Sequence, residues 1–107
     1  MLTAGVDIGS LATKAVILSA DQHEVLAAVR TASGARPPEA GRRALDEVLA
    51  QAGVERGEVR MTVATGYGRE SLRFADSTVT EITCAARGAH LLDARTRTVV
   101  DLSLIHI

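Results

Sequence analysis

Residues 5–14 read Gly-Val-Asp-Ile-Gly-Ser-Leu-Ala-Thr-Lys, which joins the end of an apolar strand to a glycine turn and a lysine. Met1–Ile8 is apolar enough for a buried strand, yet it contains Asp7, whose carboxylate is costly to bury without a cation or several donors. Magnesium carried by a nucleotide is one such partner, because Mg²⁺ is usually held by one or two carboxylates together with phosphates. The segment therefore indicates either a metal-phosphate site or an ordinary hairpin turn with an acid at a strand end.

The turn after Asp7 has residue types that bind phosphate. Gly9 turns without a Cβ and lets a ligand come close, so that the following amides can point at phosphate oxygens. Thr13 and Lys14 can add a hydroxyl and a positive charge. The spacing is neither that of a P-loop nor that of a dinucleotide fingerprint, since both need a helix directly after the glycines. The candidate phosphate-binding residues of this turn are Gly9, Ser10, Leu11, Ala12, Thr13 and Lys14.

Length and composition limit the class of protein. A chain of 107 residues allows one domain and excludes a complete two-lobed enzyme. A formal net charge of −1 and an aromatic content of only Tyr67 and Phe74 argue against nucleic acid or an anionic membrane as a partner. No apolar run reaches the length of a membrane span and no signal peptide is evident, so we expect a cytoplasmic protein. Cys84, the only cysteine, is expected to be a buried, inert thiol rather than a functional one.

Hydrophobic patterns predict an α/β domain with the order strand, strand, strand, helix, strand, helix, strand. Short turns make the first three strands an antiparallel meander. The first helix places Ala44, Leu45, Val48, Leu49 and Ala52 on one apolar face, and Gly53 ends it. The predicted strands are Met1–Ile8, Ala15–Ala20, Glu24–Thr31, Met61–Ala64 and Thr98–Asp101, and the predicted helices run from Pro37–Pro38 to Ala52 and from Glu81 to about Leu92.

A second group of candidate site residues follows the fourth strand. Residues 65–69 read Thr-Gly-Tyr-Gly-Arg and bring Gly66, Gly68 and a guanidinium to the carboxyl end of that strand, where open sheets bind ligands. The alternative is a plain turn into a helix. Glu81 is either a favourable acid in the first turn of a helix or a side chain that orients metal or water. Asp101 ends the last strand and, together with Asp7, would form a metal-phosphate clamp.

The local strings resemble one family within the actin-like, ribonuclease-H-like ATPase fold. Residues 5–14, residues 64–69 (Ala-Thr-Gly-Tyr-Gly-Arg), residues 80–89 (Thr-Glu-Ile-Thr-Cys-Ala-Ala-Arg-Gly-Ala) and residues 98–101 (Thr-Val-Val-Asp) are similar to the ATPase activators of 2-hydroxyacyl-CoA dehydratases and the ATPase subunits of benzoyl-CoA reductase. The resemblance implies that Asp7, Gly9, Ser10 and Lys14 belong to a first phosphate motif and that Asp101 opens a second. It implies that Glu81 positions metal or attacking water.

The same resemblance implies the activity of the whole protein. Members of this family are homodimers with one [4Fe–4S] cluster at the subunit interface, and they couple hydrolysis of Mg-ATP to low-potential electron transfer into an acyl-CoA dehydratase or reductase. This sequence differs from the family's pattern at two places that bear on the implied activity. Ala85 stands where the family usually has histidine, and residues 102–107 (Leu-Ser-Leu-Ile-His-Ile) replace the family's Ile-Gly-Gly-Gln-Asp. The cluster cysteines of the family lie further along the chain, and Cys84 matches neither.

We therefore expect residues 1–101 to be the N-terminal subdomain of an actin-like ATPase domain, truncated before its second half. Residues 102–107 are expected to be a non-native tail, because they are what a transposase sequencing adapter encodes when it is read as CTG TCT CTT ATA CAC ATC. Any other codons in the source DNA would refute this, and a genuine apolar strand end is the alternative.

Two other functions stay open at this point. One is a small-molecule kinase of the same fold, such as an N-acetylglucosamine kinase, which shares the first phosphate motif. The other is an inactive fragment that at most associates with other chains, and binding of Mg-ATP at millimolar or tighter affinity would contradict it.

Overall fold

The computed structural model describes residues 1–71, 73, 75–95 and 97–98. These residues form an α/β structure whose elements follow the predicted order as far as the second helix, except that a short unpredicted strand precedes that helix. The predicted strand Thr98–Asp101, apart from its first residue, and the tail at 102–107 lie outside the described residues. The strands are β1 (Leu2–Ile8), β2 (Ala12–Ser19), β3 (Glu24–Ala32), β4 (Val59–Thr65) and β5 (Ser77–Thr78), and the α-helices are α1 (Pro37–Ala52) and α2 (Glu81–Leu92).

The strands form one mixed sheet in the order β3-β2-β1-β4-β5. β1, β2 and β3 pair antiparallel, which confirms the predicted meander. β4 pairs with β1 in parallel, with Asp7 opposite Thr65 in register. Because β1 and β4 run in the same direction, their carboxyl ends lie side by side at one edge of the sheet.

The core lies between α1 and one face of the sheet. Alternate residues of β1 point to this face, so Val6 and Ile8 are buried against Leu45 and Val48 of α1. The predicted apolar face of α1 is confirmed, with Ala52 partly rather than fully buried. Gly53 ends the helix with φ of 70°, a left-handed conformation typical of a helix C-terminus, as predicted.

The side chains that alternate with these buried residues along the strands point to the opposite face of the sheet. Asp7 and Lys14 are half-buried there, directly opposite each other on β1 and β2. This alternation separates polar side chains that are neighbours in sequence. Thr13 points to the α1 face and is 0% exposed, whereas Lys14 points to the other face.

Two strands begin earlier than the sequence predicts, and one short strand is not predicted at all. β2 begins at Ala12 rather than Ala15, because the hairpin closes immediately after Gly9 and takes Thr13 and Lys14 into the strand. β4 begins at Val59, after a 3-10 turn at Arg56–Glu58 where a linker was predicted. β5 has only two residues, too few for an alternating pattern to indicate it.

Helix α2 has the predicted bounds. The backbone amide of Cys84 donates to the carbonyl oxygen of Thr80 at 3.1 Å, so Thr80 accepts the first helical hydrogen bond from just before the helix. Ile82 and Leu92 are 70% and 90% exposed. Neither described α-helix has the length and apolar character needed to cross a bilayer.

Candidate phosphate-binding site

The turn between β1 and β2 is closed by a short backbone contact. The amide of Gly9 donates to the carbonyl oxygen of Ala12 at 3.0 Å. A Cβ added to Gly9 would lie 2.6 Å from that oxygen, so a larger residue would force the turn apart. Ser10 and Leu11 lie at the exposed tip, and Leu11 is 74% exposed. Glycine at position 9 is therefore required by the closure of the turn itself.

Asp7 is paired with the ammonium group of Lys14, whereas the sequence predicts magnesium as the partner of Asp7 and phosphate as that of Lys14. Its Oδ2 lies 3.1 Å from Nζ of Lys14 across the hairpin, on the sheet face away from α1. The other carboxylate oxygen, Oδ1, is buried and has no hydrogen-bond partner among the described residues. One acceptor of Asp7 therefore has no donor among the described residues, and it lies against Gly66 of the second loop.

The second loop, residues 65–69, is packed onto the end of β1. The amide of Gly68 donates to the carbonyl oxygen of Ile8 at 2.9 Å. A Cβ on Gly68 would lie 2.6 Å from Cγ2 of Ile8, and a Cβ on Gly66 would meet Oδ1 of Asp7. Gly66 also has φ of 90°, which L side chains rarely adopt. The two glycines thus bring the two sequence motifs together beside Asp7.

The guanidinium of Arg69 stabilises the loop that carries it. Its Nη1 donates to the carbonyl oxygen of Gly66 at 3.1 Å, and its backbone amide donates to the same oxygen at 3.2 Å. Its Nε lies 3.8 Å from Glu70. Arg69 therefore shapes the second loop in this structure, whereas Lys14 is the cation paired with Asp7.

Two residues of the site do not stand out in the sequence. Thr65, the register partner of Asp7, has a buried hydroxyl oxygen without a hydrogen-bond partner among the described residues. Ser33, in the loop before α1, is 4% exposed, and its Oγ donates to the carbonyl oxygen of Gly9 at 2.6 Å. Thr65 lies within residues 65–69, where the glycines and the arginine, not the threonine, indicate a ligand site. Ser33 lies in a small-residue loop without any periodic signal.

The structure brings together Asp7, Gly9, Lys14, Gly66 and Gly68, along with Ser10, Leu11 and Ala12 of the turn. The hydroxyl of Thr13 lies 2.8 Å from Oγ of Ser33 on the α1 side, so it contacts the turn from behind. The side chain of Glu81 is exposed at the start of α2 and makes no hydrogen bond or ion pair within the described part of the chain. Asp101 lies outside the described residues.

The residues at this edge fit a magnesium-bound phosphate. A lysine, a carboxylate with one unpartnered oxygen and a glycine turn with exposed residues lie together, and buried polar atoms without partners are expected where a ligand, ion or ordered water completes a site. No cluster of three or more His, Cys, Asp or Glu side chains suited to a metal occurs in the described ranges. Any metal here would therefore be shared with a ligand such as a phosphate.

Solved structures define the class of protein. The crystal structure of (R)-2-hydroxyglutaryl-CoA dehydratase component A from Acidaminococcus fermentans matches with a TM-score of 0.81 and 36% identity, over 89% of this chain and 36% of that one. The activator of 2-hydroxyisocaproyl-CoA dehydratase from Clostridium difficile, solved with bound ADPNP, matches with a TM-score of 0.81 and 35% identity, over 91% and 35% of the two chains. The fold is thus that of the actin-like ATPases.

The family follows from the sequence comparisons. The sequence model of the BadF/BadG/BcrA/BcrD ATPase family matches residues 4–106, and the chain belongs to that family. The activator of lactoyl-CoA dehydratase from Anaerotignum propionicum is 39% identical over 104 residues, which is 95% of this chain and 39% of that protein. The chain therefore spans about two fifths of the length of this curated relative.

Proposed function

We propose that the turn at residues 9–12 and the side chain of Lys14 bind the phosphates of Mg-ATP, with Asp7 serving the metal; the hydroxyl of Thr13, predicted as a phosphate ligand, is instead buried against Ser33. The observation that carries the proposal is the convergence of Asp7, Lys14 and the glycine turn at the end of β1, with the second loop packed beside them. Support comes from the relative with the same fold that was solved with ADPNP. The kinase alternative shares this phosphate motif, so the contacts of the turn do not distinguish it; the activator is favoured by the names of the relatives.

Each residue has a distinct role in the proposed site. The amides of Ser10, Leu11 and Ala12 would donate to phosphate oxygens, and Lys14 would neutralise part of the phosphate charge while still facing Asp7. Mg²⁺, held by Asp7 and Asp101 together with the phosphates, would offset negative charge on the nucleotide. Gly66 and Gly68 would keep the second loop against β1 so that Asp7 stays oriented. Glu81 is proposed to position metal or the attacking water.

For the whole protein we propose an ATPase that activates a 2-hydroxyacyl-CoA dehydratase or a benzoyl-CoA reductase. The supporting observation is that the relatives of this family are named as activators of such dehydratases. The proposal includes a cytoplasmic homodimer that passes a low-potential electron from a [4Fe–4S] cluster to its partner enzyme. Cys84 matches neither of the family's cluster cysteines. The cluster ligands would therefore come from parts of the family's sequence that this chain does not span.

Removing the lysine tests the phosphate site directly. We expect the 107-residue chain to bind Mg-ATP in the millimolar range, an affinity of about −4 kcal/mol that phosphate contacts alone can supply. Lys14→Met should weaken this binding about 10-fold or more, because a hydrogen bond to a charged group contributes about 1.5–3 kcal/mol. Isothermal titration calorimetry on the two proteins measures the ratio.

Arg60→Met is the matched control for this loss of charge. Arg60 is an exposed cation near the start of β4, at the opposite end of that strand from Thr65 and the second loop. The affinity of Arg60→Met for Mg-ATP should stay within about twofold of wild type, since distant surface charges are screened by salt. Equal losses in the two variants would contradict a specific role for Lys14.

A further inference from the structure

Ser33 makes three hydrogen bonds to the turn between β1 and β2. Its Oγ donates to the carbonyl oxygen of Gly9 at 2.6 Å and lies 2.8 Å from Oγ1 of Thr13, and its backbone amide donates to the carbonyl oxygen of Leu11 at 3.1 Å. The side chain of Ser33 is buried, as is that of Thr13. A loop residue 24 positions further along the chain than Gly9 thus contacts the turn from the α1 side.

The direction of each hydrogen bond follows from the groups involved. The carbonyl oxygen of Gly9 can only accept, so the single hydroxyl proton of Ser33 is committed to it. Thr13 must therefore donate its own hydroxyl proton to Oγ of Ser33. The result is a relay in which Thr13 donates to Ser33 and Ser33 donates to Gly9, and every buried hydroxyl in it has a partner.

These contacts also set the direction of two amides. The described residues contain no cis peptide bond, and in a trans peptide the C=O and the following N–H point in opposite directions. Because the carbonyls of Gly9 and Leu11 point towards Ser33, the amides of Ser10 and Ala12 point away from it. Those amides are two of the three that the proposed function assigns to phosphate.

The chain is bent sharply just after Ser33. Gly34 has φ of 67°, and a Cβ added there would meet nothing within 4 Å, so glycine is needed at this position for backbone conformation rather than for space. The bend lets β3 end at Ala32 and α1 begin at Pro37 while Ser33 remains over the turn.

We propose that Ser33 is a positioning residue for nucleotide binding: it holds the peptide planes of the β1–β2 turn so that the amides of Ser10 and Ala12 face the phosphates. This inference rests on the proposed function, because it takes residues 9–12 as the phosphate-binding turn. Ser33 itself does not touch the ligand. Its hydroxyl acts through Gly9, and its backbone amide acts through Leu11.

Ser33→Ala tests the proposal, with Ser19→Ala as the matched control. Ser19 is also a buried serine, 8% exposed, but it lies at the far end of β2. In the nucleotide-free chain, Ser33→Ala should speed hydrogen exchange of the Gly9 amide about 3- to 10-fold relative to Ser19→Ala, in keeping with one lost hydrogen bond. Unchanged exchange at Gly9 would overturn the positioning role, whatever the result with nucleotide.

Binding of Mg-ATP supplies the second readout. Ser33→Ala should raise the dissociation constant about 3- to 10-fold, whereas Ser19→Ala should leave it within about twofold of wild type. Equal affinities of Ser33→Ala and wild type would refute the proposal. If wild type itself does not bind Mg-ATP, the proposed function fails, while the exchange of the Gly9 amide still decides whether Ser33 orders the turn.

A double variant keeps the test decisive if Ser33→Ala does not fold. In Ser33→Ala the hydroxyl of Thr13 is left buried without an acceptor, and Thr13→Val removes that cost by replacing the second partner with an apolar side chain of similar shape. The double variant still lacks the donor to Gly9. Faster exchange at Gly9 and weaker binding of Mg-ATP should therefore persist in it, and wild-type values for both would contradict the proposal.

Discussion

Gly66→Ala perturbs the contact that joins the two motifs. Gly66 has φ of 90°, and a Cβ there would meet Oδ1 of Asp7 and lie 2.6 Å from the carbonyl oxygen of Ile8. A left-handed backbone costs alanine about 1–2 kcal/mol, and an added methyl group in a tight contact costs about 1–3 kcal/mol more. We therefore expect the free energy of unfolding to fall by about 2–5 kcal/mol.

Two other glycines separate the backbone cost from the steric cost. Gly53 has φ of 70° but open space around it, so Gly53→Ala should lose only about 1–2 kcal/mol. Gly57 has open space and no positive φ, so Gly57→Ala should be unchanged or more stable by about 0.4–1 kcal/mol. Urea unfolding followed by circular dichroism measures all three variants. A loss in Gly66→Ala no larger than that in Gly53→Ala would refute the packing of the second loop against Asp7.

Three further substitutions test other parts of the structure. Asp7→Asn should weaken the dependence of ATP affinity on Mg²⁺, measured by titration with and without the metal, because only Asp101 and the phosphates would still hold the ion; an unchanged dependence would exclude Asp7 as a residue that serves the metal. Thr65→Val should raise the free energy of unfolding of the nucleotide-free chain by about 1 kcal/mol, because it removes a buried hydroxyl without a partner, and a decrease would contradict that reading. Leu45→Ala, at a 2% exposed core position, should lower the free energy of unfolding by about 2–5 kcal/mol, whereas exposed Glu47→Ala on the same helix should change it by less than about 0.5 kcal/mol.

The parts of the fold that follow from periodicity could be predicted from the sequence. Apolar runs joined by short turns indicated the meander, and the apolar face of α1 with Gly53 after it indicated the first helix and its end. Boundaries depend on tertiary pairing rather than on local pattern. β2 begins at Ala12 because the amide of Gly9 pairs with it, and β5 exists because Ser77 and Thr78 pair with β4.

The candidate site was predictable where residue type alone carries the chemistry. The residue types predict Asp7 and Lys14 as site residues, but they do not predict that the two pair with each other across the hairpin. The role of Ser33 could not be predicted, because a serine in a loop carries no signal until the fold places it over Gly9. The sequence predicts that the glycines of the second loop lie where a ligand binds, yet the closest contacts of a Cβ at these positions would be with Asp7 and Ile8.

The most direct test of the central claim is a nitrogen-15 NMR titration of the chain with Mg-ATP. The phosphate-site account predicts that the largest chemical-shift changes fall on the amides of residues 9–14, with smaller changes at Gly66 and Gly68. Amides at the far end of the sheet, such as that of Ser19, should stay unchanged. Saturable shifts that avoid residues 9–14, or none at all in the folded chain, would contradict the claim that this turn binds phosphate.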